Sequence, residues 1–323
     1  MPALKDISVV IPLYNEEESI AELCEWIIRV MESNGFSYEI ILIDDGSSDR
    51  SWEIISKLND SNDCIKGVQF NRNYGKSAAL NTGFIYSSGK VIITMDADLQ
   101  DSPDEIPALY HLITQEKYHL VSGWKKKRHD PISKTIPSRF FNYVTRKMSG
   151  IPIHDFNCGL KAYDQRVVKN IHVYGEMHRY VPYIAKRNGF TKIGEKVVEH
   201  RPRKYGITKF GLERFIFGFL DLLSITFVSK FKKRPMHFFG SMGTLSFFLG
   251  LIITIYVIAQ KLYLLHLRVP ARAITEQPLF FLALVALIIG VQLFLAGFLA
   301  EMMAMKSHSK NDYLISDKIG LGE

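Results

Sequence analysis

The sequence predicts an α/β domain on a mostly parallel sheet, followed by an amphipathic interfacial helix and a two-helix transmembrane hairpin. Three observations predict it. Short β-branched runs alternate with helical stretches through the first hundred residues. Polar or acidic clusters follow the ends of those runs. Late in the chain, 235–260 and 277–300 are 26 and 24 residues without Asp, Glu, Lys or Arg.

The elements follow in order. Residues 7–13 are a short buried run, hence a strand, and 21–33 have helical spacing. A second strand, 39–44, ends in Asp44-Asp45-Gly46-Ser47-Ser48-Asp49, and 51–58 are helical. A strand at 65–70 and a helix at 77–87 lead to the strand 90–96, which also ends in acid. In open parallel sheets ligands sit at the carboxyl ends of the strands. Asn15-Glu16, Asp44-Asp45 and Asp96-Ala97-Asp98 all fall there.

Spanning a bilayer takes about 20 apolar residues, so both charge-free runs qualify, and the connector 261–276 makes them a hairpin. Lys230, Lys232, Lys233 and Arg234 abut the first run and Lys306 and Lys310 follow the second, against Lys261, Arg268 and Arg272 between them. This bias, modest in size, puts the soluble domain in the cytoplasm. The apolar run 7–13 is too short for a secretory signal. Between 210 and 231, Phe215, Phe219, Leu222, Leu223 and Phe227 recur around Asp221, as in a helix lying in the interface; an ordinary amphipathic helix of the soluble domain is the alternative. The expected divisions are therefore 1–209, 210–234, 235–305 and a polar tail, 306–323.

The net charge of the 323-residue chain is +7, and 201–234 alone hold nine Lys/Arg against two Asp/Glu. A coat for nucleic acid is disfavoured, and a local positive collar is favoured. Three scattered cysteines, Cys24, Cys64 and Cys158, suit a reducing compartment rather than a disulfide framework or a cysteine-rich zinc site.

Asp96 and Asp98 with Gln100 form a hard-oxygen donor set for Mg²⁺ or Mn²⁺, completed by phosphate oxygens; a solvated turn before a capped helix is the alternative. The Gly-x-Gly-x-x-Gly of a dinucleotide fold is absent after the first strand. Arg72-Asn73-Tyr74-Gly75-Lys76-Ser77 is not a Walker loop, because position 70 is Phe. Residues 125–147 carry eight Lys/Arg against Asp130 and read as a loop running into a helix, suited to clamping phosphate.

Pro12-x-x-Asn15-Glu16, Asp44-Asp45-Gly46-Ser47-x-Asp49, Asn73-x-Gly75-Lys76 and Asp96-Ala97-Asp98-Leu99-Gln100 occur in this order. Together they resemble the signature of family 2 glycosyltransferases with the GT-A fold. Ser138-Arg139, His154-Asp155-x-x-Cys158-Gly159-Leu160-Lys161-Ala162-Tyr163 and Arg203-x-x-Gly206-x-Thr208-Lys209 look like the polyprenyl-phosphate branch, which includes dolichol-phosphate mannose synthases and bacterial undecaprenyl-phosphate glucosyltransferases.

The resemblance implies roles. Pro12, Tyr14, Asn15 and Glu16 line the nucleotide pocket, Asp44 and Asp45 hold base and ribose, and Lys76 lies nearby. Asp96, Ala97, Asp98 and Gln100 surround the diphosphate, with Asp96, Asp98 and Gln100 as metal ligands. Arg128, Lys134, Ser138 and Arg139 approach the lipid phosphate, and His178, Arg179, Arg203 and Thr208 complete the diphosphate and acceptor side. Asp98, Lys134, Ser138, Arg139 and Asp155 form the catalytic set, with Asp155 acting as base or as positioning group. The implied reaction is inverting transfer from UDP-glucose or a UDP-hexosamine to polyprenyl phosphate, with GDP-mannose as the alternative donor. It implies a bacterial inner-membrane protein, and the pairing of two spans points to a homo-oligomer. A processive polysaccharide synthase is disfavoured, since Trp26, Trp52 and Trp124 lack a preceding Arg and only two spans are expected. A non-catalytic scaffold with a degenerate domain is the rival from another class.

Overall fold

The computed structural model describes residues 5–126, 132–175, 177–202, 204–205, 235–268, 270, 272–306 and 315–319. Arg128, Arg203, Thr208 and the expected interfacial helix at 210–234 lie outside the described residues; Lys134 is described only in its backbone. The chain divides into two compact units, Met1–Ile225 with Asn311–Glu323, and Thr226–Lys310.

The first unit is one eight-stranded sheet flanked by helices. In chain order its elements are β1 (Ile7–Leu13), α1 (Ile20–Ser33), β2 (Tyr38–Asp44), α2 (Ser51–Ser61), β3 (Ile65–Phe70), α3 (Lys76–Tyr86) and β4 (Val91–Thr94). There follow α4 (Ile106–Thr114), β5 (Leu120–Trp124), α5 (Ile132–Ser149), β6 (Lys161–Asp164), α6 (Gln165–Lys169), α7 (Val181–Arg187) and β7 (Ile193–Val197). The last strand is β8 (Ile315–Ile319). The order across the sheet is β7-β5-β6-β4-β1-β2-β3-β8.

β1, β2, β3 and β4 are parallel neighbours, as their runs of Ile, Val and Leu demand: both faces are buried, and Val9, Val10, Ile11, Ile40, Ile41 and Leu42 are fully enclosed. β6 runs antiparallel to both β4 and β5. Its first residue, Lys161, therefore arrives at the edge where its neighbours end. β8, within the stretch read from sequence as a polar tail, pairs antiparallel with β3, opposing Gln69 to Asp317.

The second unit is two long apolar helices, α8 (Pro235–His266) and α9 (Pro278–Lys306). They run past the charge-free limits of the sequence, because a helix continues through Lys261 and Glu301 without backbone penalty. Only 17% and 11% of their most apolar stretches are buried, so these helices could cross a membrane. They pack closely where both backbones lack side chains: a Cβ on Gly243 would stand 2.6 Å from the Gly290 carbonyl oxygen.

Candidate active site

The carboxyl ends of β1, β2, β3 and β4 and the start of β6 share one edge. At the end of β1, Asn15 adopts φ 54°, a conformation that Asn tolerates better than most residues. Its N–H donates to Ser47 Oγ at 2.8 Å, and its Oδ1 accepts the Ser48 N–H at 2.8 Å. The Glu16 N–H donates to Ser51 Oγ, and the Glu17 N–H to Asp49 Oδ2. These bonds zip the loop after β1 to the turn after β2. Tyr14 stands exposed beside them, while Pro12 turns toward the neighbouring cavity.

Asp44 and Asp45 are buried and engaged by the protein itself. Asp44 accepts from the Ser47 N–H and from Gln69 Nε2. Asp45 accepts the N–H groups of Tyr74 at 2.7 Å and Gly75 at 2.9 Å, and so fixes the turn leading into α3. Burial pushes the Asp45 carboxyl up to about 6 against the pull of those two bonds. Gly46 between the loops has φ 74°, and a Cβ there would lie 2.4 Å from the Arg72 carbonyl carbon.

After β4 comes the acidic turn. Asp96 is half-buried and ion-paired with Lys76 at the start of α3. Burial works to neutralise its carboxyl, but the charges of Lys76, Lys125 and Lys161 prevail and hold it at about 2. Gly159 gives Asp96 its seat, since a Cβ there would stand 2.5 Å from the carboxylate. Ala97 is buried beneath the turn, and Leu99 is held at φ 59°. A buried non-glycine residue in the left-handed region is strain of the kind stored at functional sites. Asp98 Oδ1 accepts the Gln100 N–H, and Gln100 exchanges bonds with the backbone of Arg201. Asp101, fully buried, pairs with Lys125 at 2.7 Å. Burial opposes the Lys125 charge, but Asp101 outweighs it and keeps the lysine above its ordinary range.

The acceptor-side candidates come from the other direction. Asp155 is buried and accepts the Asn157 N–H, while Ser122 Oγ holds its carbonyl. Asn157 Nδ2 donates to Ser138 Oγ on α5 at 3.3 Å, joining that helix to the 154–159 loop; Arg139 beside it is exposed. His178 is fastened to α3 by Ser77, whose Oγ accepts the His178 N–H and meets Nδ1. A cavity brings Pro12, Lys76, Asp96, Lys161, His178 and Arg179 together. Gly159 and Lys161 were legible only as members of the 154–163 motif, and Lys125 only as one cation of the basic stretch 125–147; neither the seat of Asp96 at Gly159 nor the Lys125–Asp101 pair was.

Among the described residues no three His, Cys, Asp or Glu side chains converge as a closed metal site. The donor chemistry here suits an open one. Asp96 and Asp98 stand two residues apart on one turn, the first in a cradle that a Cβ would fill, and such a pair would leave most positions of a hard cation to substrate oxygens.

A family model described as glycosyl transferase family 2 matches residues 8–171. A dodecaprenyl-phosphate galacturonate synthase of Rhizobium johnstonii is 35% identical over 302 residues, covering 93% of this chain and 88% of that protein. An undecaprenyl-phosphate 4-deoxy-4-formamido-L-arabinose transferase of Yersinia pestis is 34% identical over 261 residues, covering 80% and 77%. Among solved structures, the fold is like that of glucosyl-3-phosphoglycerate synthase from Mycobacterium tuberculosis in complex with UDP, with a TM-score of 0.53 and 20% identity over 70% of this chain and 80% of that one. The same enzyme with Mn²⁺ and UDP-glucose gives 0.51 and 21% over 70% and 78%. With its family model spanning the sheet edge just described and its relatives matched along most of their length, this chain belongs to glycosyl transferase family 2, among the polyprenyl-phosphate glycosyltransferases.

Proposed function

We propose that this glycosyltransferase moves a sugar, with inversion, from a UDP-linked donor to the phosphate of a membrane polyprenol such as undecaprenyl phosphate. The observation that carries this reading is Asp96, ion-paired with Lys76 and lining one cavity with Lys161, His178 and Arg179 at the carboxyl edge of β4. That edge offers cations for a diphosphate and acids for a cation at one place.

The acceptor phosphate is already an anion at neutral pH, so its oxygen attacks the anomeric carbon without a general base. The new C–O bond forms in line as the bond to the diphosphate breaks, and the electron pair leaves with UDP. Asp155, buried and fixed by its own loop, positions acceptor or sugar rather than taking a proton. Lys76, His178 and Arg179 neutralise the leaving diphosphate, and Lys134, Ser138, Arg139, Arg128, Arg203 and Thr208 receive the lipid phosphate. The zipped loops carrying Asn15, Glu16, Asp44 and Asp45 shape the wall for base and ribose. Asp96, Asp98 and Gln100 would hold Mg²⁺ or Mn²⁺, which supplies Lewis-acid stabilisation of the leaving group; the Mn²⁺ in the crystallised neighbour supports this choice.

We place 1–209 in the cytoplasm as the catalytic domain, 210–234 at the interface and 235–305 as two spans of a bacterial inner-membrane protein, assembled as a homo-oligomer. Glucose and hexosamine are the sugars that the resemblance implies. The relatives' names add galacturonate and 4-deoxy-4-formamido-arabinose, one an acid and the other an uncharged amide.

The test is to incubate membranes containing the full chain with undecaprenyl phosphate and a panel of labelled nucleotide sugars, then identify the lipid product. A labelled lipid that depends on added polyprenyl phosphate is expected. UDP binding without any lipid product would overturn the acceptor, and failure to bind any nucleotide sugar with Mn²⁺ in calorimetry would favour a scaffold.

A further inference from the structure

Strand order turns the site edge into a ruler. β2 ends at Asp44, β1 and β4 come next, and β6 begins at Lys161. Neighbouring strands lie about 4.8 Å apart, so the three steps from β2 to β6 span about 14 Å. A donor whose nucleoside lies against β2 and β1, and whose diphosphate lies at Asp96 and Asp98 after β4, presents its sugar to the start of β6.

Lys161 is 4% exposed there, and it lines the cavity with Asp96, His178 and Arg179. Its ammonium donates to the Cys158 carbonyl oxygen, and among the described residues no carboxylate forms an ion pair with it. Asp96, the carboxylate of the cavity lining, is already held by Lys76. Burial pulls the Lys161 ammonium below its ordinary value despite the fields of Asp155 and Asp96. A buried ammonium with one carbonyl acceptor and no carboxylate in ion-pair contact is costly. The diphosphate meets Lys76 beside Asp96, and a neutral hexose brings no charge to a buried cation. A carboxylate on the sugar ring supplies the missing charge and accepts the remaining N–H groups.

We propose that Lys161 is a carboxylate seat for the donor sugar, and that the donor is therefore a nucleotide-linked uronic acid. The inference rests on the transferase reading above and deepens it: of the acidic and the amide-bearing sugar, the cavity selects the acid.

The experiment uses the full chain in detergent with undecaprenyl phosphate and three donors: UDP-galacturonate, UDP-galactose and UDP-4-deoxy-4-formamido-arabinose. The wild-type protein is expected to prefer UDP-galacturonate by at least ten-fold in kcat/KM. In Lys161→Met that preference falls by roughly 10–100-fold, the worth of one charge-assisted hydrogen bond, chiefly through KM. Lys161→Arg restores much of it. Calorimetry with UDP alone reports that the variants keep the nucleotide site. Equal or better use of the galactose or amide donor by the wild type overturns the carboxylate seat while leaving the transferase reading intact. So does an equal loss on all donors in Lys161→Met, which assigns Lys161 to the shared diphosphate. UDP binding without lipid product from any donor overturns the transferase reading itself.

Discussion

At the scale of single residues, the site is set by small clearances. Gly159 is the clearest case, because its missing side chain is the space that Asp96 occupies. Gly159→Ala pushes the carboxylate aside, and a displacement of about 1 Å costs on the order of 100-fold in rate. The expected result is that loss in the transfer assay with a melting temperature near that of wild type. Asp98→Asn keeps the turn bond to the Gln100 N–H but removes a charge from the proposed cation site; near-normal transfer by purified protein with Mg²⁺ supplied would remove Asp98 from the metal set. Glu39 stands at the opposite end of the strands and controls stability instead. It is fully buried and accepts from Ser8 Oγ, the Ser88 N–H and Lys66 Nζ. Burial raises its carboxyl, but Lys66 and the serines overcome that and set it below the usual glutamate value. Its stabilisation is therefore present above the unfolded-state value and is lost as pH falls through the lower folded one. Glu39→Gln is expected to lower stability by about 3 kcal/mol at pH 7, with the gap from wild type narrowing at pH 4 in denaturant titrations.

At the scale of elements, the four parallel strands and their helices were legible because buried parallel strands are continuous apolar runs closed by polar turns. Beyond residue 100 the text is weaker. β6 has four residues, one of them Lys161, and β7 alternates as Ile193-Gly194-Glu195-Lys196-Val197 beneath no apolar majority. Such strands are held by their neighbours and not by their own composition. The acids of the site were legible as strand-end clusters. Their actual bonding was not, since nothing in Asp45 announces that Tyr74 and Gly75 will take both its oxygens. β8 was hidden for the same reason: Ile315-Ser316-Asp317-Lys318-Ile319 is too short and polar to declare itself without β3 beside it. It covers an edge whose Gln69 steadies Asp44. Lys318→Pro, opposite Val68, breaks that ladder. Hydrogen exchange at Val68 is expected to quicken at least ten-fold, with more self-association on size exclusion, as an uncovered edge invites.

At the scale of the whole molecule, chain order constrains topology. β8 belongs to the first unit, although α8 and α9 come between it and the rest. If the two helices cross a bilayer, they cross an even number of times, which returns the tail to the side it left. With Cys64 replaced by Ser, a cysteine introduced as Glu32→Cys and one as Asp312→Cys should react with a membrane-impermeant maleimide from the same face of sealed vesicles. Leu267→Cys, between the helices, should react from the other; labelling of all three from one face would remove the hairpin from the membrane. The closing pair Gln69 and Asp317 also carries a message about time. During synthesis most of the domain's strands emerge early, but its sheet cannot be finished until Ile315–Ile319 leave the ribosome, after both apolar helices have been made. A chain that stops within the two helices therefore keeps a bare β3 edge, the kind of edge on which other chains can pair.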